Sequence, residues 1–104
     1  MKGTSFFLSN GLVVSNEHVV HGCDTTNLIG QTPKGEHITF NKIAVDTNRD
    51  LALLRPAPAR KGGLELGADL DPKLGSAVST WGFPLIYNGP APLLSVGYVA
   101  GLTR

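Results

Sequence analysis

Two acid–base side chains of this 104-residue sequence, His18 and Asp50, stand beside predicted strands. His18 follows a predicted β-hairpin, and Asp50 precedes a short apolar run. Imidazole titrates near neutral pH and often acts as a general base, whereas a charged carboxylate is costly to bury without partners. Taken singly, a histidine is more often structural than catalytic, and an aspartate at a strand end usually caps the strand or contacts a loop. The residues alone leave both interpretations open.

A metal site and a cysteine nucleophile are the other chemistries that the sequence offers. His21 lies three residues after His18, and the only nearby candidates for further ligands are Cys23 and Asp24. Cys23 is the single cysteine, so it cannot form a disulfide within the chain. We interpret Cys23 as a small residue at a buried turn rather than as a nucleophile or a metal ligand. The sequence therefore predicts no metal site and no cofactor.

The composition limits the classes of partner. Lys and Arg total 9, Asp and Glu total 8, and no basic run occurs, so the chain has no electrostatic footprint for nucleic acid. No stretch approaches the roughly 18 apolar residues that a membrane span needs. The first residues are too few for a secretory signal, which leaves the compartment open. The length suits one small domain or a portion of a larger one.

Short runs rich in Val, Ile, Leu, Thr and Phe between turn signals predict an all-β protein. A hairpin is expected around Asn10-Gly11, because both residues tolerate positive φ. A second turn is expected at 33–35, where proline presets φ and glycine supplies freedom after it. A strand is predicted over 50–54, stopped by Pro56 and Pro58.

The stretch 36–46 carries an irregularity. Apolar residues alternate with polar ones up to Phe40, and the apolar positions then change parity at Ile43. A strand with a period of two residues changes parity only through an extra residue, so we expect a bulge near Asn41-Lys42.

The second half of the chain has fewer signals. We expect a surface loop over 57–63, strands over 77–81 and 93–100, and a loop over 82–90. Trp81 is the only tryptophan. We expect it to pack into a barrel rather than to mark a substrate pocket.

The sequence around His18 and Asp50 resembles that of a known family. Segments 3–8 and 11–22 resemble the catalytic-histidine region of trypsin-like serine proteases, most closely the HtrA/Deg branch. Segments 44–46 and 49–54 resemble the catalytic-aspartate strand of that family. Further pieces match, in order, the start of its second barrel: Leu66-Gly67, Gly75-Ser76, Gly82-Phe83-Pro84 and the stretch 95–101. The resemblance covers nearly the whole chain.

This resemblance implies a chymotrypsin-like double β-barrel. Residues 1–67 would form the N-terminal barrel, 68–74 a connector, and 75–104 the opening strands of the second barrel. It implies peptide-bond cleavage by acyl transfer, with polypeptides as substrates and an extracytoplasmic location if the likeness to HtrA/Deg holds. His18 would be the general base, and Asp50 would orient it and fix its tautomer.

The nucleophile of this family lies in a Gly-x-Ser-Gly-Gly turn whose backbone N–H groups form the oxyanion hole. No such motif occurs here. The six serines are Ser5, Ser9, Ser15, Ser76, Ser79 and Ser95. We therefore expect the nucleophilic serine to be absent and the chain to be an incomplete, inactive N-terminal portion of a serine endopeptidase. Such a chain would self-associate through open strand edges.

Three rival interpretations remain open. The chain could be a non-catalytic, protease-like β-barrel that serves as a binding module. It could be a cysteine protease on the same fold, although Cys23 lies too near His18 and too early in the chain for that role. It could also be an unrelated small β-barrel.

Overall fold

A computed structural model of the chain describes residues 2–22, 28–67, 72–84, 89 and 91–101. The strands in this part of the chain are β1 (Ser5–Phe7), β2 (Val13–Ser15), β3 (Ile29–Gln31), β4 (His37–Asp46), β5 (Leu51–Ala57), β6 (Ala77–Gly82) and β7 (Leu93–Tyr98). A single helical turn, α1 (Glu17–Val20), follows β2. The all-β class expected from the sequence is confirmed. No helix among the described residues has the length and apolar character needed to cross a membrane.

The chain divides into two compact units, Met1–Glu65 and Leu66–Arg104. The first unit holds β1 to β5 and α1, and the second holds β6 and β7. The assignment of the residues to two barrels joined by a connector over 68–74 stays a prediction, and 68–71 lie outside the described residues.

The first unit contains a five-stranded sheet in the order β1-β2-β5-β4-β3. Every neighbouring pair is antiparallel. Strand β5 lies at the centre, where Val13 of β2 faces Leu54 and Ser15 faces Ala52. This register sets the position of the site, because it places the end of β2 beside the start of β5.

Both predicted hairpin turns are confirmed, and they share one geometry. The Gly11 N–H donates to the Leu8 carbonyl at 2.9 Å, and the Gly35 N–H donates to the Thr32 carbonyl at 2.9 Å. The two glycines have φ of 86° and 89°. A turn followed by one left-handed residue is typical of three-residue hairpin loops. Asn10 does not have the positive φ that we expected of it. Its side-chain oxygen accepts the Leu12 N–H at 2.9 Å.

The predicted bulge in β4 occurs slightly later than expected. The register with β5 shifts between Lys42 and Ala44, so Ile43 is the extra residue rather than Asn41-Lys42. Before the shift Ile38 and Phe40 are buried. After it, apolar side chains of β4 are exposed, so the change of parity turns them away from the core.

The predicted end of β5 is wrong for Pro56 and correct for Pro58. The strand continues through Pro56, which pairs with Phe40, and ends at Ala57, directly before Pro58. Strand β2 pairs with β5 only as far as Leu54. Beyond that point one side of β5 is a sheet edge, where a residue without an N–H is tolerated.

One face of the sheet carries the core. Its buried side chains are Val13, Val20, Leu28, Ile38, Phe40, Ala52 and Leu54. Val20 is the member contributed by α1. Its burial anchors the helical turn to the sheet and leaves His18, two residues earlier, exposed.

The second unit contains a two-stranded antiparallel ribbon of β6 and β7. Trp81 lies on β6, as expected, but its side chain is 62% exposed, so the expectation that it packs into a barrel is wrong for this chain. In the ribbon Trp81 faces Leu94, which is also exposed. Residues 85–88 and 90 of the predicted loop lie outside the described residues.

The two hairpin glycines provide a matched test of this fold. We expect Gly35→Ala to cost roughly 1–2 kcal/mol, the cost of a left-handed L-residue, because no atom lies within 4 Å of the added Cβ. Gly11→Ala should cost about 1–3 kcal/mol more, because its Cβ would overlap the Arg60 backbone carbonyl, which cannot rotate away. Urea denaturation of both variants measures the difference. Equal losses would show that the Arg60 segment does not pack on the turn.

Candidate active site

The N-terminus of α1 and the start of β5 lie side by side because of the strand register. Ser15 ends β2 and pairs with Ala52 of β5, so the residues after Ser15 lie beside those before Ala52. Asn16 is extended, with φ −88° and ψ 143°, and α1 begins after it at Glu17. This arrangement brings His18 next to Asp50.

Both oxygens of the Asp50 carboxylate contact His18. Oδ2 lies 2.7 Å from Nδ1 of the ring, and Oδ1 accepts the His18 backbone N–H at 2.8 Å. The ring contact lies within hydrogen-bond reach, as expected for two residues that act together. The two bonds together fix the carboxylate relative to both the backbone and the ring of His18. The catalytic roles of the two residues stay predictions.

Asp50 also serves as the cap of α1. An Asn before a helix usually accepts the N–H of the second or third helical residue, but Asn16 makes no such side-chain bond. His18 is the second helical residue, and its N–H is satisfied by Asp50 instead. A carboxylate at a helix N-terminus is also favoured electrostatically.

These contacts shift the ionisation of Asp50. The hydrogen bond from the His18 backbone N–H, and then the one from the His18 ring, lower the pKa of Asp50 below its usual value. The side chains of His18 and Asp50 are 58% and 43% exposed. The pair His18 and Asp50, the dyad, is therefore open to solvent. Its carboxylate is charged over the whole neutral pH range.

The backbone of Asp50 adopts an uncommon conformation. Its φ is 55°, and it is the one non-glycine residue with positive φ in the part of the chain that the structure describes. The Asp50 N–H donates to the Thr47 carbonyl at 3.3 Å, and the Asp50 carbonyl accepts the Asn16 side-chain amide at 3.1 Å. Asp46 closes the same turn by accepting the Arg49 N–H at 3.1 Å.

The sequence interpretation missed Asn16 as a residue of this site. The available signal was an N-cap type of residue directly after a strand and before an acidic residue, which is typical of a helix start. That signal predicts a capping role. The contact with the Asp50 carbonyl depends on the pairing of β2 with β5 and has no local sequence signature.

The arrangement has the chemistry of an oriented base. When Nδ1 donates its proton to a carboxylate, the neutral ring carries its lone pair on Nε2. No hydrogen bond within the described residues engages Nε2 of His18. Such a nitrogen is free to accept a proton from a hydroxyl group or a water molecule.

The other two of the three histidines do not join the dyad. His21 Nδ1 lies 2.6 Å from Glu17 Oε1 across one helical turn, and His37 is the exposed first residue of β4. Within the described ranges no group of three or more His, Cys, Asp or Glu could hold a metal ion. Cys23 and Asp24, the nearest further ligands considered for His21, lie outside those ranges.

None of the six serines lies in a Gly-x-Ser-Gly-Gly sequence. Ser15 is buried, and its hydroxyl donates to the Thr4 carbonyl at 2.9 Å. Ser5 pairs with Ser15 across β1 and β2. Ser79 and Ser95 belong to the β6–β7 ribbon.

One surface depression of the first unit lies away from the dyad. It has a volume of about 230 Å³ and is lined by Val14, Ala44, Val45, Asp46, Leu51, Ala52 and Leu53. It lies on the sheet and includes neither His18 nor Asp50. The dyad is identified by its hydrogen bonds and not by a cavity.

Comparison with known families shows which family model the chain matches. The model of the family described as trypsin-like peptidase domain matches residues 3–104. The matched range contains His18, Asp50 and Asn16. No curated protein matches the chain.

The lowered pKa of Asp50 predicts how stability depends on pH. A group whose pKa is lower in the folded than in the unfolded chain stabilises the fold above its ordinary pKa, about 3.9 for Asp, and that contribution is lost as the pH falls through the folded value. In Asp50→Asn the free energy of unfolding should therefore decrease less between about pH 5 and pH 2 than in the wild type. Urea denaturation at several pH values measures this.

Glu36→Gln is the matched control for this experiment. The pKa of Glu36 is also lowered, first by its hydrogen bond from Arg60, and it lies away from His18. Glu36→Gln should remove a separate part of the pH dependence of the free energy of unfolding, and its effect should add to that of Asp50→Asn. Identical pH profiles of the wild type and Asp50→Asn would contradict the His18–Asp50 hydrogen bonds.

Proposed function

The chain belongs to the trypsin-like peptidase domain family, and from this premise we propose that it takes part in the cleavage of polypeptides by acyl transfer. Its five-stranded sheet is part of a trypsin-like β-barrel. Membership of the family supports a protease-like fold, and polypeptides are the substrate class that such a fold suggests. The participation of this chain in peptide-bond cleavage is the proposed part.

His18 is proposed as the general base and Asp50 as the residue that orients it. The observation that carries this assignment is the use of both Asp50 oxygens by His18, at 2.7 Å to the ring and 2.8 Å to the backbone N–H. Asp50 would keep the proton on Nδ1 and stabilise the imidazolium that forms when Nε2 takes a proton. The solvent exposure of His18 leaves room for a substrate and a nucleophile beside Nε2.

The nucleophile is proposed to be a serine other than the six in this sequence. Acyl transfer needs a hydroxyl group beside Nε2 and backbone donors for the oxyanion, which a Gly-x-Ser-Gly-Gly turn supplies together. None of the six serines has that context. The likeness of segment 11–22 to the HtrA/Deg branch supports a serine endopeptidase of that kind.

A serine-directed fluorophosphonate probe tests this function. With the 104-residue chain alone we expect every serine to stay unlabelled and casein hydrolysis to stay at background, because a base without a nucleophile activates only water. With the protein expressed from its complete gene we expect one serine in a Gly-x-Ser-Gly-Gly turn to react. His18→Ala should abolish that labelling, and Asp50→Asn should lower kcat about 10⁴-fold.

His37→Ala is the matched histidine control, since His37 is exposed on β4 and has no part in the dyad. It should leave labelling unchanged. Stoichiometric labelling of one of the six serines, lost in His18→Ala, would overturn the assignment of the nucleophile. A complete gene product that lacks such a turn and never reacts would favour a non-catalytic binding module.

A further inference from the structure

The side chain of Asn16 is used in an unusual way. It occupies the N-cap position of α1, yet it makes no capping bond, and its amide donates to the Asp50 carbonyl 34 residues further along the chain at 3.1 Å. A carbonyl oxygen only accepts hydrogen bonds, so Asn16 must present its NH₂ group to Asp50. Asp50 therefore caps the helix that Asn16 precedes, while the side chain of Asn16 bonds to the backbone of Asp50.

The Asp50 backbone needs such a partner. With φ at 55°, Asp50 occupies a region that residues other than glycine seldom adopt, although Asp and Asn enter it more readily than most. The turn bond from its N–H to Thr47 is long, at 3.3 Å. The Asn16 amide is the bond that holds the other side of this residue, at its carbonyl.

The conformation of Asp50 determines where its carboxylate points. The direction of the Cα–Cβ bond follows from the backbone, so a relaxation of Asp50 towards negative φ would move the carboxylate away from His18. That carboxylate accepts both hydrogen bonds from His18. A contact that holds the backbone of Asp50 therefore acts on the ring of His18 without touching it.

We infer that Asn16 is a positioning residue of the dyad, which holds Asp50 in its left-handed conformation and thereby keeps the proton of His18 on Nδ1. This inference rests on the proposed function for its catalytic meaning, but the tautomer of His18 is measurable in the chain itself. The side-chain amide of Asn16 donates to the Asp50 carbonyl and not to the ring of His18. Its effect passes entirely through Asp50.

The test is the tautomer ratio of the neutral His18 ring, measured by long-range ¹H–¹⁵N correlation spectra at a pH at which the spectra themselves show the ring to be neutral. In the wild type we expect the Nδ1–H form to predominate. In Asn16→Ala and Asn16→Ser the ratio of Nδ1–H to Nε2–H should fall about 2- to 10-fold, the factor that one ordinary hydrogen bond contributes. Asn41→Ala, on an exposed position of β4, is the matched control and should leave the ratio unchanged.

Each outcome decides the matter. Folded Asn16 variants whose His18 tautomer matches the wild type would overturn the positioning role while leaving the dyad intact. A wild-type ring without a preference for Nδ1–H would instead contradict the proposed function, and with it the inference. Asn16→Ser keeps a residue type favoured before helices, so it reports even if Asn16→Ala fails to fold. If both variants fail to fold, Asn16 supports the fold rather than the dyad, and the inference is wrong.

Discussion

The carboxylate of Asp50 links two elements that are distant in the sequence. One oxygen satisfies the His18 N–H at the start of α1, a group that has no partner within a helix, and the other accepts the bond from the His18 ring. The same side chain therefore stabilises the helical turn and orients its histidine. The helix start and the orientation of the ring cannot be changed independently of each other.

The rest of the first unit holds the two partners in place. The pairing of Ser15 with Ala52 brings the end of β2 to the start of β5, and the burial of Val20 anchors α1 to the core. Asp46 and Thr47 close the turn that leads into Asp50. Polar contacts at the site thus depend on an apolar core that lies behind them on one face of the sheet.

Features that depend on local backbone chemistry were predictable from the sequence. The turns that contain Gly11 and Gly35 follow from the tolerance of glycine for positive φ, and the change of parity in β4 required an extra residue. Features that depend on neighbours were not predictable. Pro56 stays within β5 because β2 has already ended, and the exposure of the Trp81 side chain on the β6–β7 ribbon has no local sequence signature.

The site divides in the same way. The pairing of His18 with Asp50 was reached through the resemblance of two sequence segments to one family, and their geometry agrees with that pairing. The positive φ of Asp50 and the contact with Asn16 had no sequence signal, because both depend on the tertiary register of β2 and β5. Cys23 and the connector residues 68–71 lie outside the described residues.

Amide hydrogen exchange at the His18 backbone N–H tests the central claim most directly. This N–H lies in the first turn of α1, so any protection must come from Asp50. The account predicts slow exchange in the wild type and exchange near the intrinsic rate in Asp50→Ala, while the amides that pair β4 with β5 stay protected in both. Exchange of the His18 amide at the intrinsic rate in the folded wild type would contradict the account.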